Sequence, residues 1–276
     1  MELPICTKLA EMDLSIVVTT YGRIEHIKRL VEGCEKYLSG ISFEIVVVAS
    51  DDQASEKIHW LSTRPKVKLI CVGDRKPGQP RQRSLYFYEN LGIQASTGEW
   101  VFIINDDSEI SASLQESFIA QRFDADILVV PAHIDNRSLG HRTPVIGTLD
   151  NGQGPEPLYL LDFAMFKRSV LNEIGPADEG FDWYGRGADM AISAALLNKK
   201  VVPMTGTYLN HFVELEQRNP PHYAHDFLYL KKKWRGLLKS SRLKFETPLP
   251  SIMTLFYAKY IWPAVKFVRT RLQTRG

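Results

Sequence analysis

At 276 residues, 44% hydrophobic and 24% charged, the chain suits one large globular domain, or a domain with an appendage, and can bury its core without disulfides. Its net charge of +2 hides an asymmetry: from Lys231 onward twelve Lys and Arg face one acid, Glu246, while the preceding 230 residues carry 22 basic and 31 acidic groups, so an acidic body is followed by a stretch basic enough to meet an anionic surface. Cys6, Cys34 and Cys71 are odd in number and lack metal-ligand spacing, which argues against a cysteine metal site and fits a reducing compartment.

Residues 14–18 read as a strand rich in β-branched residues, ending at Thr19-Thr20-Tyr21-Gly22-Arg23. Helical periodicity follows, with Ile27, Leu30, Val31 and Cys34 on one face. Residues 43–48 form a second buried strand that ends at Ser50-Asp51-Asp52, residues 58–61 sit in a helix, and residues 67–72 make a third strand. Residues 73–80 are a loop by composition. Residues 84–96 look helical, with Gly98 in the usual C-terminal stop position. The apolar run Trp100-Val101-Phe102-Ile103-Ile104 then delivers Asn105-Asp106-Asp107 at the carboxyl end of a strand, where open α/β sheets bind ligands. Two carboxylates there can hold a hard divalent cation, which in turn can hold a diphosphate. Residues 127–131 add a strand, residues 137–157 read as a long loop rich in Gly and Pro, and residues 166–174 and 189–197 read as helices. Strands alternating with helices predict an α/β fold, with a largely parallel sheet covered on both faces.

The order of these motifs resembles an inverting family 2 glycosyltransferase of the GT-A fold. The resemblance spans roughly residues 13–212. It rests on residues 14–23, the strand ending at Asp51-Asp52, the segment from Asn90 to Gly98-Glu99 leading into Asn105-Asp106-Asp107, and then Asp178-Glu179, Gly187-Ala188-Asp189 and His211. It implies a three-layer α/β/α sandwich over residues 1–226 that binds a UDP-, GDP- or dTDP-linked sugar and transfers the sugar to a glycan or lipid-linked acceptor. Asp107 would bind Mn²⁺ or Mg²⁺, a Lewis acid for the leaving diphosphate, and Asp106 would contact the donor. Asn105 stands where an acid is usual; its amide oxygen still accepts a hydrogen bond but lacks the charge. His211 would complete the metal site or touch the diphosphate.

The resemblance makes Asp189 the general base that deprotonates the acceptor hydroxyl; an N-cap is the plainer reading of an Asp at a helix start. Ala188 replaces a usual acid beside it. Thr19, Tyr21 and Asp51 would bind the nucleotide, with Tyr21 offering a stacking face and Asp51 a hydrogen-bond acceptor. Arg81, with Arg83, lies in a loop suited to phosphate contact. Trp183 and Tyr184 offer flat faces to an acceptor sugar.

Residues 227–276 read as a basic helical appendage. Within it, residues 252–272 set aromatic side chains opposite Lys259 and Lys266, as in a helix lying on a membrane surface. Met1-Glu2-Leu3-Pro4 shows no basic segment ahead of an apolar core, and no uncharged apolar run reaches the roughly 18 residues needed to span a bilayer. The expectation is therefore a cytoplasmic protein, peripheral on the inner face of a membrane, with no nucleic-acid partner. Two other readings stay open. A sugar-nucleotide-forming nucleotidyltransferase would need a glycine-rich basic loop after the first strand, which residues 19–23 do not supply. A non-catalytic glycan- or membrane-binding protein on the same fold is kept open by Asn105 and Ala188.

Overall fold

The computed structural model describes residues 12–22, 24–50, 55–73, 83–134, 143–212 and 220–246. Strands buried on both faces set its architecture. β1 (Leu14–Thr20), β2 (Phe43–Ala49), β3 (Val67–Cys71) and β4 (Trp100–Asn105) run parallel in the order β4-β1-β2-β3, and α1 (Ile24–Tyr37), α2 (Glu56–Ser62) and α3 (Leu85–Ala95) lie between them in sequence. Alternate residues of one strand enter opposite cores: Ile16 and Val18 pack with Leu30 and Phe102, while Val17 packs with Val101 and Ile103. That explains why these strands read as unbroken apolar runs rather than as alternating ones. Serine side chains open two of the helices, with Ser55 accepting from the Ile58 amide and Ser84 from the Phe87 amide.

The chain then adds β5 (Ser108–Ile110), α4 (Leu114–Gln121), β6 (Ile127–Val129), β7 (Ala132–Ile134), β8 (Val145–Asp150), β9 (Pro155–Tyr159), β10 (Ala164–Lys167), α5 (Arg168–Ile174), α6 (Arg186–Leu196), β11 (Val201–Pro203) and β12 (Leu209–His211). α7 (Pro220–Lys233), α8 (Arg235–Lys239) and β13 (Leu243–Phe245) follow. The central sheet has seven strands in the order β11-β6-β10-β4-β1-β2-β3. β10 alone runs antiparallel to its neighbours, so its start meets the carboxyl end of β4. A small sheet, β5-β12-β7, sits beyond that end, and a third sheet pairs β13-β8-β9.

Two expectations change. Residues 145–157, read as part of a long loop over 137–157, belong to the β8–β9 hairpin. Its prolines, Pro155 and Pro157, lie on the edge strand, where a missing N–H is tolerated, and the Asp150 carboxylate ties its turn by accepting from the Gly152 and Gly154 amides. Gly98 is not a left-handed helix stop, since it is absent from the positive-φ residues and Ser96 caps α3 instead. A Cβ at Gly98 would lie 2.6 Å from the Ser15 nitrogen and 2.8 Å from the Leu14 carbonyl carbon, so glycine is required there by the close approach of β1.

The described part of the basic stretch packs on the body. Residue 227 falls inside α7, Leu230 and Leu243 join the core that holds Phe166 and Ile192, and the rings of Tyr229 and Phe181 meet edge-on at 4.8 Å. Among the described residues no helix is long and apolar enough to cross a membrane. Residues 247–276 lie outside the described residues, and with them the surface helix expected at 252–272.

Candidate active site

The carboxyl ends of β1 and β4 lie side by side, with Thr19 paired to Asn105. The chain turns at Asp106 and Asp107, which separates the two carboxylates. Asp106 is buried, and its Oδ2 accepts a 2.8 Å hydrogen bond from Thr20 Oγ1. Thr20 Oγ1 in turn accepts from Lys57 Nζ at 3.3 Å, and Thr20 and Lys57 are buried as well. Asp107 turns the other way, toward His211, with its Oδ1 3.2 Å from the ring Nε2. Asn105 Nδ2 lies 3.4 Å from the same ring nitrogen, from a position 106 residues away in the chain.

The small sheet is what brings these distant positions together. β12 pairs antiparallel with β5, setting His211 opposite Ser108, and the Phe212 amide donates to the Asp107 carbonyl. The Phe163 ring packs edge-on against the imidazole, 4.9 Å between centroids, and fixes its plane. Asp107 and His211 thus offer a carboxylate and an imidazole at one point beyond β4. That donor pair suits a divalent ion of the Mn²⁺ type, with further oxygens supplied by a diphosphate.

α6 opens at Gly185, which has φ +90°, a value that favours glycine. Asp189 lies in the first turn, its amide bonded to the Gly185 carbonyl, so it is not the N-cap. Its side chain is almost fully buried. Oδ1 accepts from Trp234 Nε1 at 2.7 Å and Oδ2 from Lys233 Nζ at 2.9 Å. Lys233 also reaches Asp178 Oδ2 at 2.7 Å. Burial pushes the Asp189 carboxyl above its ordinary range, and the bonds from Lys233 and Trp234 pull against that rise without cancelling it. Burial would lower the Lys233 ammonium, but Asp178 and Asp189 outweigh it and raise it. Each Asp189 oxygen keeps a second lone pair, so the group can still accept a hydroxyl proton. Ala188 is buried in the apolar core and leaves no polar atom at its position.

Other residues hold this frame. Asn90 locks α3 to the segment before α6 through paired 2.9 Å bonds with the Ala177 backbone. Arg186 and Glu89 form a buried ion pair at 3.4 Å. Asp226, fully buried on α7, accepts the backbone amides of Asp182, Trp183 and Tyr184 at 2.7–2.8 Å. Asp182, His225 and Asp226 also place one ligand atom each within 4.8 Å of one another, a second acidic cluster able to hold an ion. Three amides already occupy Asp226, so we take that carboxylate as the lock on the turn before α6.

Of the residues read from the sequence, Thr19, Asn105, Asp106, Asp107 and His211 gather at the ends of β1 and β4, with Tyr21 one residue past β1. Asp189 stands apart from them on α6, tied to α7 and Trp234. Asp51 and Arg81 lie outside the described residues. Arg83 stacks on Phe87, 4.2 Å from the ring centroid. Lys57 and Asp162 were missed; nothing in the sequence around either distinguishes it from a surface charge, because the burial of Lys57 and the seat of Asp162 against Gly187 come from packing between distant segments.

No family model matches the chain, and no curated protein matches it in sequence. Solved structures do. S. aureus TarS 1-349 superposes with a TM-score of 0.59 at 15% identity, over 80% of this chain and 65% of that one. The same protein in complex with UDP-GlcNAc gives 0.59 at 16% identity, over 80% and 66%. GalNAc-T7 with UDP, GalNAc and Mn²⁺ gives 0.60 at 14% identity, over 81% and 48%. The chain therefore spans no more than about two thirds of the length of these neighbours. At such identities the likeness shows the fold: a mixed α/β architecture around one central sheet, shared with proteins solved with UDP or UDP-GlcNAc bound.

Proposed function

We propose that this chain is an inverting glycosyltransferase of the GT-A type, moving a sugar from a nucleotide diphosphate to an acceptor hydroxyl with the help of Mn²⁺ or Mg²⁺. The observation that carries this reading is the pairing of Asp107 with His211 at 3.2 Å, beside the adjoining ends of β1 and β4. An open α/β sheet presents its ligand site there. The fold neighbours solved with UDP-GlcNAc, or with UDP and Mn²⁺, agree with a nucleotide-sugar ligand.

Asp107 and His211 would hold the cation, which when bound withdraws charge from the leaving diphosphate. Thr19, Tyr21, Asn105 and Asp106 would seat the nucleotide, joined by Asp51 and Arg81. Asp106 is held in place for this by Thr20 and Lys57. In the transfer, the acceptor oxygen bonds to the anomeric carbon as that carbon's bond to the diphosphate oxygen breaks on the opposite face. Asp189 takes the acceptor's proton. The acceptor would be a glycan or a lipid-linked sugar in surface polysaccharide assembly, and residues 247–276 would hold the protein to an anionic membrane face.

A non-catalytic glycan-binding role on the same fold is favoured by one observation, the engagement of both Asp189 oxygens by Lys233 and Trp234. One experiment separates the readings. Thermal melts with UDP, GDP and dTDP, with and without Mn²⁺, identify the nucleotide, because a ligand that binds only the folded state raises Tm. Release of that nucleoside diphosphate from its sugar conjugates is then followed with Mn²⁺ and with EDTA. Metal-dependent release supports the enzyme. Binding without release under any acceptor condition supports the binding protein. No nucleotide binding at all sinks the enzyme and leaves the glycan-binding role.

A further inference from the structure

Gly187, at the opening of α6, carries no side chain, yet a carboxylate stands over it. It belongs to Asp162, in the turn just before β10. A Cβ built on Gly187 would lie 2.3 Å from Asp162 Oδ1 and 2.9 Å from the Asp162 nitrogen, so glycine is what admits the carboxylate. The Gly187 carbonyl accepts from the Leu161 amide, and Arg186 Nη2 donates to the Asp162 carbonyl at 2.9 Å. Because β10 runs antiparallel to β4, this turn sits at the same end of the sheet as Asn105, Asp106 and Asp107. The next residue, Phe163, packs edge-on against the His211 ring, 4.9 Å between centroids. The carboxylate therefore lies between the Asp107–His211 pair and the start of the helix that carries Asp189.

Capping the Gly187 amide does not account for it. A cap needs one acceptor oxygen, which a neutral Asn or Ser supplies. Desolvation raises the Asp162 carboxyl above its ordinary range although Arg186 opposes it. Arg186 is already the ion-pair partner of Glu89. What a carboxylate offers beyond a cap is a second strong acceptor facing the site.

We propose that Asp162 is a specificity-determining residue that accepts a hydrogen bond from a hydroxyl of the donor sugar. The inference rests on the glycosyltransferase reading above. The donor is favoured over the acceptor because Asp162 adjoins His211, and the groups next beyond a diphosphate held there are the hydroxyls of the attached sugar.

The test is calorimetric, on the full chain with Mn²⁺, using the nucleoside diphosphate that stabilises the wild type and its glucose, galactose, N-acetylglucosamine and N-acetylgalactosamine conjugates. Asp162→Asn keeps the shape and an acceptor oxygen but removes the charge. It should leave affinity for the bare diphosphate within about twofold and weaken the preferred conjugate by roughly tenfold or more, the usual worth of a hydrogen bond to a charged group. Gly187→Ala, which displaces the carboxylate, should show the same selective loss. A third arm needs no variant: among singly deoxygenated forms of the preferred conjugate, one should bind the wild type at least tenfold more weakly, since a site built to bond a hydroxyl rejects the analogue lacking it. Equal loss for diphosphate and conjugate, loss for neither, or a change only in the acceptor's KM each overturns the proposal. If the wild type binds no nucleoside diphosphate, the glycosyltransferase reading fails and this inference falls with it; intact diphosphate binding with unselective Asp162→Asn overturns the inference alone.

Discussion

Asp106 and Asp107 are adjacent in sequence and opposite in environment. Asp106 is turned onto Thr20, whose hydroxyl also meets the Lys57 ammonium, while Asp107 is turned the other way, onto His211. The substitutions Asp107→Asn and Asp106→Asn should therefore fail differently. Asp107→Asn should remove the Mn²⁺-dependent part of the nucleotide-induced rise in Tm and lower kcat/KM by about 100-fold, roughly 2.7 kcal/mol of transition-state stabilisation. Asp106→Asn should lower the Tm of the free protein as well, since it disturbs a buried hydrogen-bonded group. Retained Mn²⁺ dependence in Asp107→Asn would remove it from the metal site. Asp189 makes a prediction with a defined sign in pH. Its carboxyl is raised by burial and held down in part by Lys233. As a base it works ionised, so kcat/KM should fall as pH drops through a value above the ordinary 3.8 of Asp. Lys233→Met removes the cation that favours the ionised form, so the acidic limb should move to higher pH. A limb that stays in place, or moves down, would take the proton transfer away from Asp189. Asp106 and Asp107 were legible because a strand-like apolar run ends on them. His211 was legible only through the family resemblance, and Asp162 not at all, because its meaning lies in a glycine 25 positions on that leaves room for it.

Elements with a single structural cause were the ones the sequence declared. β1, β2 and β4 are buried on both faces and form continuous apolar runs, and α1 shows one buried stripe, Ile27, Leu30, Val31 and Cys34. β5, β7 and β12 are three residues each, too short for any period to show, and they exist because they pair with one another. The β8–β9 hairpin was hidden by its own Gly and Pro, which sit at a turn and on an edge. Two predictions belong to this scale. Asp226 joins α7 to the turn that launches α6 by accepting three backbone amides while fully buried. Asp226→Asn sets an amide N–H₂ against those donors and should cost about 3 kcal/mol, read as a lower Tm and urea midpoint. Because that turn carries Trp183 and Tyr184 into α6, nucleotide-sugar turnover should fall more than nucleoside diphosphate binding. Gly98→Ala forces a methyl against the backbone of Leu14 and Ser15. Backbone cannot step aside as a side chain can, so a loss of about 2 kcal/mol or more is expected from overpacking alone. A Gly98→Ala protein as stable as the wild type would mean that β1 and the α3–β4 connection slide apart freely.

Across the whole molecule the positive charge is less free than the sequence count suggests. Of the basic residues from Lys231 to Lys244, Lys233 is held between Asp178 and Asp189, and Arg242 donates to the Asp150 carbonyl. Leu230 and Leu243, on either side of this stretch, are in the body's core. The first part of the basic stretch is thus fastened to the acidic body through Lys233, on the same helix that braces Asp189, while Lys231, Lys232, Arg235, Lys239 and Lys244 stay exposed; four more cations, Lys259, Lys266, Arg269 and Arg271, fall in the stretch read as a surface helix. An anionic membrane attracts such side chains at about 1 kcal/mol each, so these four together are worth roughly 4 kcal/mol, or on the order of a thousandfold in partitioning. The prediction is that the full chain sediments with vesicles containing anionic lipid but not with neutral phosphatidylcholine vesicles. Raising the salt should release it, because screening shortens the reach of exposed charges. Replacing the four with Gln should weaken sedimentation on the order of a thousandfold while leaving the Tm and the nucleotide-induced shift unchanged. Equal binding to neutral and anionic vesicles would assign the attraction to the aromatic residues among 252–272 instead. Loss of Tm in the four-Gln variant would mean that this segment, like α7, is fastened to the body and not offered to a membrane.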